Sequence, residues 1–292
     1  MAKNVNICFS QPLLSNPIRT TEKKNISSQS QNNSNMEILT GLAIPLAGTV
    51  IGAALVFMLR NQISSFANRA MLGFASGVMV AASFWSLLQP AFELSGEGIV
   101  STWPIFAGFA AGICFLLFLD TVVPHQHADD KEAEGPRSRL PRSIKMILAV
   151  ALHNIPEGMA VGVVFSGIIN GDASISISGA FALSIGMAIQ NIPEGAIISV
   201  PLRSEGKSRT GAFLWGAVSG LVEPIAAACT ILFLGNGTSA MPVLLAFAAG
   251  SMLYVVVEEL IPSSQAGEHS NVGTIGFAIG FMLMMSLDTI FA

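Results

Sequence analysis

Eight apolar runs, each more than twenty residues long, follow one another along this chain at 38–59, 70–92, 98–119, 146–166, 176–200, 210–234, 240–260 and 271–291. About 20 residues of helix cross the hydrocarbon core of a bilayer. Barrel strands need only about 10 residues and alternate in polarity. The runs therefore predict an all-α integral membrane protein with eight transmembrane helices. Composition agrees: of 292 residues, 52% are hydrophobic and 11% charged, so little polar surface is left to face water. A typical soluble domain carries about 25% charged residues. A net charge of −4 without a basic patch argues against a nucleic-acid partner. Cys8, Cys114 and Cys229 form no CxxC pair, which argues against a disulfide scaffold and a thiolate zinc site.

Residues 1–35 are polar and rich in Ser, Asn and Gln ("NISSQSQNNSN"), and read as a disordered tail ahead of a membrane domain over 36–292. The tail lacks the apolar core of a signal peptide. The joints after runs 1, 3, 5 and 7 carry Arg60, Arg69, Lys131, Arg137, Arg139, Arg142, Lys145, Arg203, Lys207 and Arg209, and the other joints carry no Lys or Arg. The positive-inside rule then puts the basic joints in the cytoplasm and both termini outside. The stretch 125–143, which begins "HQHADDKEAEGPRSRLP", is either a solvated cytoplasmic linker or a loop that holds metal weakly through His and carboxylate groups. Glycines four apart, at Gly73/Gly77, Gly108/Gly112, Gly216/Gly220 and Gly276/Gly280, predict closely packed helices.

The chemistry lies inside the runs. "HNIPEGMA" at 153–160 returns as "QNIPEGAI" at 190–197. Glu157, Glu194 and Glu223 fall within the fourth, fifth and sixth runs, and a charged carboxylate at mid-bilayer costs on the order of 3 kcal/mol. No Lys or Arg stands near mid-run to neutralise them, so they hold protons or surround a cation. His153, Asn154 and Glu157 stand at i, i+1 and i+4, which puts His153 and Glu157 on one helix face with Asn154 beside them. Gln190, Asn191 and Glu194 repeat the spacing. Imidazole nitrogen and amide and carboxylate oxygens are the donors a borderline divalent metal accepts. Pro156 and Pro193 cannot donate to the carbonyls one turn back, and such backbone is tolerated at depth where it lines a cavity. The fourth and fifth runs are joined by a short loop and so run antiparallel. Their motifs can face each other, with Glu223 closing the cluster.

Paired His-Asn-x-Pro-Glu-Gly and x-Asn-x-Pro-Glu-Gly on adjacent runs, among eight helices and with a His-containing loop after the third, resemble the ZIP (Zrt-, Irt-like protein) family of divalent-metal transporters, its bacterial members above all. The likeness covers roughly residues 36–292. It implies inverted repeats, a homodimer, and import of zinc, or of iron, manganese or cadmium, by alternating access through a binuclear site between helices 4 and 5. It further implies His153, Asn154, Glu157, Gln190, Asn191, Glu194 and Glu223 as ligands, with Met79 in "GVMVAASF" as a possible sulfur donor. Gln190 departs from the His often found there, and Asn191 stands where Asp is also found. Glu93 and Asp288 would line an outer entrance, and Asp120, His125 and Glu259 an inner exit. The expected setting is the bacterial plasma membrane, with Zn²⁺, Cd²⁺, Fe²⁺ or Mn²⁺ as cargo and no resident cofactor. A proton-coupled exchanger or exporter using the same carboxylates is the alternative. No HExxH exists in the chain, which argues against an intramembrane metalloprotease and for a non-enzyme.

Overall fold

The computed structural model describes residues 17–58, 63–96, 98–125, 135–171, 175–235 and 239–291; of residues 17–34 and 142–143 it describes the backbone alone. Among the described residues there is no β-strand, and eight helices are long and apolar enough to cross a membrane. These spans, numbered 1 to 8 in chain order, are Asn35–Met58, Ser65–Ser95, Ile99–Val122, Ile144–Ile169, Ile177–Ser204, Arg209–Leu234, Met241–Gln265 and Val272–Phe291. The chain is a multi-pass membrane protein. Spans 3 and 8 bury the smallest shares of their length, so most of their surface is left for lipid.

The helix containing span 1 is recorded from Pro17 to Met58, so its backbone reaches into the stretch expected to lack structure. Proline at the first helical position loses no intrahelical bond, and residues 18–34 contain no Gly or Pro to break the helix. Residues 1–16 of the expected tail lie outside the described residues, as do 126–134 of the expected cytoplasmic loop.

Glycine sets how close the helices come. A side chain at Gly73 or Gly77 would strike the backbone of Gly273 or Phe277, and one at Gly276 or Gly280 would strike Ala70 or Phe74. Two of the expected glycine pairs thus face each other across a single seam between spans 2 and 8. Gly108 and Gly112 lie on the carbonyls of Val243 and Phe247 in span 7. Gly220 leaves room for the Thr49 side chain of span 1, whose atoms would lie 2.8–2.9 Å from an added Cβ.

Three departures from plain α-helix were not visible as hydropathy. Span 2 contains a π-helical turn at Ser83–Leu88, where the Gln89 N–H bonds Phe84 O five residues back. Span 7 contains another at Val256–Leu260, where the Ile261 N–H bonds Val256 O. Each turn is followed by a proline, Pro90 or Pro262, which has no N–H to offer the carbonyl four residues back. Span 6 breaks at Gly220–Leu221. Pro224 cannot donate to the Gly220 carbonyl, and the Glu223 N–H reaches it instead at 3.2 Å. Spans 4 and 5, by contrast, run as unbroken helix through Pro156 and Pro193.

Candidate metal centre

Spans 1, 4, 5 and 6 bring a polar cluster together in the protein interior. Glu157, Asn154, Gln190 and Asn191 are fully buried, and Glu194 and Glu223 nearly so. Gln190 Nε2 donates to Glu157 Oε1 at 2.7 Å, tying span 5 to span 4. Asn191 Nδ2 donates to Glu223 Oε2 at 2.7 Å and to the Pro45 carbonyl at 3.3 Å, tying span 5 to spans 6 and 1. Glu223 is positioned by the break in span 6, which places it in the first turn of the helix Val222–Leu234. Thr49 Oγ1 of span 1 donates to Glu223 Oε1 at 3.2 Å.

The Asn154 amide finds partners in either orientation. With its NH₂ toward Glu194, Nδ2 lies 3.0 Å from Oε2 and 3.1 Å from the Val150 carbonyl. Turned over, it donates to the Ser219 carbonyl at 3.3 Å. The first orientation suits the chemistry, because it puts the donor against a carboxylate.

Three oxygens in this cluster have no hydrogen-bond partner among the described residues: Glu157 Oε2, Gln190 Oε1 and Asn191 Oδ1. Each buried acceptor left in that state costs about 1–3 kcal/mol. The amide nitrogens of Gln190 and Asn191 hold carboxylates while their oxygens stay open, so each amide can serve a protein acid and a cation at once.

His153 and Glu259 form a second junction. Although His153 shares a helix face with Glu157, its Nε2 pairs with Glu259 Oε1, on the π-helical turn of span 7. Glu259 thus meets span 4, and the expected grouping of His153 with the central carboxylates extends across to span 7. Among the described residues no three His, Cys, Asp or Glu side chains converge as a ready metal-binding group. The open amide oxygens of Gln190 and Asn191 stand beside the carboxylates as further acceptors.

Met79 is buried in span 2, and among the described residues no hydrogen bond joins its sulfur to the cluster. At one end of the bundle, Ser86, Gln89, Glu93 and Asp288 line a cavity of about 560 Å³. There Ser86 Oγ donates to Asp288 Oδ1 at 2.6 Å, and Gln89 Nε2 donates to Glu93 Oε1 at 3.0 Å. Asp288 is buried and Glu93 exposed. At the other end, Tyr254 donates its hydroxyl to Asp120 Oδ2, and buried His125 lies with Nε2 3.6 Å from Asp120 Oδ1. His125 Nδ1 is 2.8 Å from the Val123 carbonyl. Arg69, near the start of span 2, turns away to donate to the carbonyls of Ser264 and Glu268. The thirteen expected site residues therefore fall into a central cluster, a His153–Glu259 junction, one group at each end, and Met79 apart.

A model of the ZIP zinc transporter family matches residues 124–288, the larger part of the chain, including both motif copies, Glu223, Glu259 and Asp288. The chain belongs to the ZIP family. Zinc transporter ZIPB of Bordetella bronchiseptica is 37% identical to it over 253 residues, covering 85% of this chain and 79% of that protein. Human zinc transporter ZIP11 is 32% identical over 331 residues, covering 86% and 96%. Zinc transporter GufA of Myxococcus xanthus is 33% identical over 248 residues, covering 83% and 95%. The family is one of transporters, in keeping with the expectation of a non-enzyme.

Thr49, Ser86, Gln89 and Tyr254 join the polar clusters of this ZIP protein and were missed in the sequence. Hydroxyls within apolar spans usually bond the carbonyl one turn back in their own helix, so composition does not mark the exceptions. Tyr254 carried a faint signal as the only tyrosine in the chain.

Proposed function

We propose that the protein carries divalent transition-metal ions, zinc foremost, across a membrane through the cluster of Glu157, Gln190, Asn191, Asn154, Glu194 and Glu223. The observation that carries this reading is the trio of buried, unpartnered oxygens on Glu157, Gln190 and Asn191. A proton on Glu157 Oε2 would satisfy that oxygen and one amide oxygen at most. Bound cations can satisfy all three, and mixed oxygen and imidazole donors suit zinc and its neighbours. The name shared by the relatives, zinc transporter, favours zinc among these.

The cavity beside Asp288 and Glu93 is the proposed entrance, and a further unpartnered oxygen, Asp288 Oδ2, is available to incoming cations there. His153 and Glu259 lead onward to Asp120 and His125 at the exit. The distribution of Lys and Arg supports a cytoplasmic exit, with both termini outside, in a bacterial plasma membrane. Two ions bridged by Glu157 and Glu194, alternating access and a homodimer complete the proposal. Met79 is the position best able to add a sulfur donor.

The test is Zn²⁺ uptake by proteoliposomes holding the full chain. Wild type is expected to move Zn²⁺ down its gradient, and Glu157→Ala to abolish that flux while the protein still inserts. Unimpaired flux in Glu157→Ala would remove the cluster from the pathway. Absence of flux for Zn²⁺, Fe²⁺, Mn²⁺ and Cd²⁺ alike would overturn the transport reading. An imposed pH gradient that drives Zn²⁺ outward would favour the exchanger instead.

A further inference from the structure

Thr49 is fully buried in span 1, and its hydroxyl behaves unlike those of its neighbours. Ser76, Ser83, Ser184 and Thr230 each return their O–H to the carbonyl four residues back, on Leu72, Met79, Ala180 and Ala226. That local bond is the usual resting place of a hydroxyl in an apolar helix. Thr49 instead donates across the bundle to Glu223 Oε1. The side chain has little freedom to do otherwise, because it is β-branched and is seated against the Cα of Gly220, where any Cβ would crowd it.

The consequence is a difference between two carboxylates. Glu157 has one oxygen bonded to Gln190 and the other open. Both Glu223 oxygens accept a protein donor, Oε1 from Thr49 and Oε2 from Asn191. Asn191 can hold Glu223 and still offer Oδ1 to a cation. Thr49 spends its one O–H on Glu223, and so presents a positive dipole end at Oε1. A metal ligated through Oε1 must share or displace that bond.

We propose that the Thr49 hydroxyl is a positioning group that competes with the metal for Glu223 and keeps the central affinity low enough for release. This rests on the reading of the cluster as the transport site. A carrier gains nothing from the tightest possible site, because conduction requires the ion to leave. The sign of the effect separates this role from a structural or ligating one. Loss of a supporting or ligating group weakens binding, whereas loss of a competitor strengthens it.

The experiment is calorimetric titration of the purified full chain with Zn²⁺, paired with Zn²⁺ uptake by proteoliposomes. Thr49→Val and Thr49→Ala both remove the hydroxyl, one keeping the bulk and one relieving it, so a folding defect in either leaves the other to decide. Both are expected to bind Zn²⁺ about tenfold more tightly, the scale of one hydrogen bond to a charged group. KM for uptake should fall, and kcat should fall as release slows. Thr49→Ser, which keeps the donor, should match wild type. Weaker or unchanged Zn²⁺ affinity in the hydroxyl-free variants, beside a wild type that binds, would overturn the proposal and leave the transport reading standing. A wild type that binds no Zn²⁺ would overturn the transport reading itself, before any variant is compared.

Discussion

The two copies of the repeated phrase share five of eight letters and do different work. In the second copy, Gln190 and Asn191 both act as donors, and both hold carboxylates belonging to other spans, Glu157 and Glu223. In the first copy, Glu157 is the group that is held, and His153 turns outward to Glu259 on span 7. Asn154, the counterpart of Asn191, reaches Glu194 of the second copy. Duplication therefore supplied one set of residue types at one spacing, and packing of the two helices against unlike neighbours divided the roles. Span 5 organises the cluster and carries two of its three open oxygens; span 4 supplies the open carboxylate oxygen and the link to span 7.

That division can be broken by making the copies more alike. The largest effect is expected from His153→Gln, which gives the first copy the second copy's leading residue and removes the pair with Glu259. Zn²⁺ uptake should fall by about tenfold or more, the range seen when a group supporting a metal site is lost. Undiminished uptake would show that the leading residues are interchangeable. A smaller effect is expected from Gln190→His. Imidazole suits zinc, whereas carboxylate and carbonyl oxygens suit manganese. Uptake from mixed Zn²⁺ and Mn²⁺ should shift several-fold toward zinc, and an unchanged ratio would remove position 190 from the coordination sphere. The smallest belongs to Glu259→Gln, which leaves His153 a hydrogen-bonding neighbour without the charge. Uptake should slow a few-fold with the metal ratio unaltered; a changed ratio would place Glu259 among the ligands that select the ion.

Much of the fold was legible because a membrane helix has to be long and apolar. The eight spans lie within a few residues of the runs that announce them, and each of the four glycine pairs meets a neighbouring helix. The central cluster was legible for a related reason. Glu157, Glu194 and Glu223 are costly in an apolar run, and the cost draws attention to them. What escaped notice costs little. Thr49 and Ser86 pass for ordinary hydroxyls satisfied within their own helices, and only the packing of distant spans reveals their partners. The route of His153 to Glu259 depends on how span 7 is wound, and neither hydropathy nor spacing carries that. Prolines were a partial guide: Pro224 marks a true break and Pro90 and Pro262 follow π-helical turns, while spans 4 and 5 continue through Pro156 and Pro193.

The π-helical turns in spans 2 and 7 are also a matter of phase. Each accommodates one residue more than the α-helix would, which turns everything beyond it by about 100° around the helix axis. Beyond the first lie Gln89 and Glu93, on the wall of the cavity at one end of the bundle; within the second lies Glu259, opposite His153. Rewinding either turn as regular α-helix with all its residues kept would swing the groups beyond it about 100° out of line with their partners. Removing one residue as the turn closes would leave those groups in place, so in these two spans it is the extra residue, absorbed by the turn, that sets the alignment.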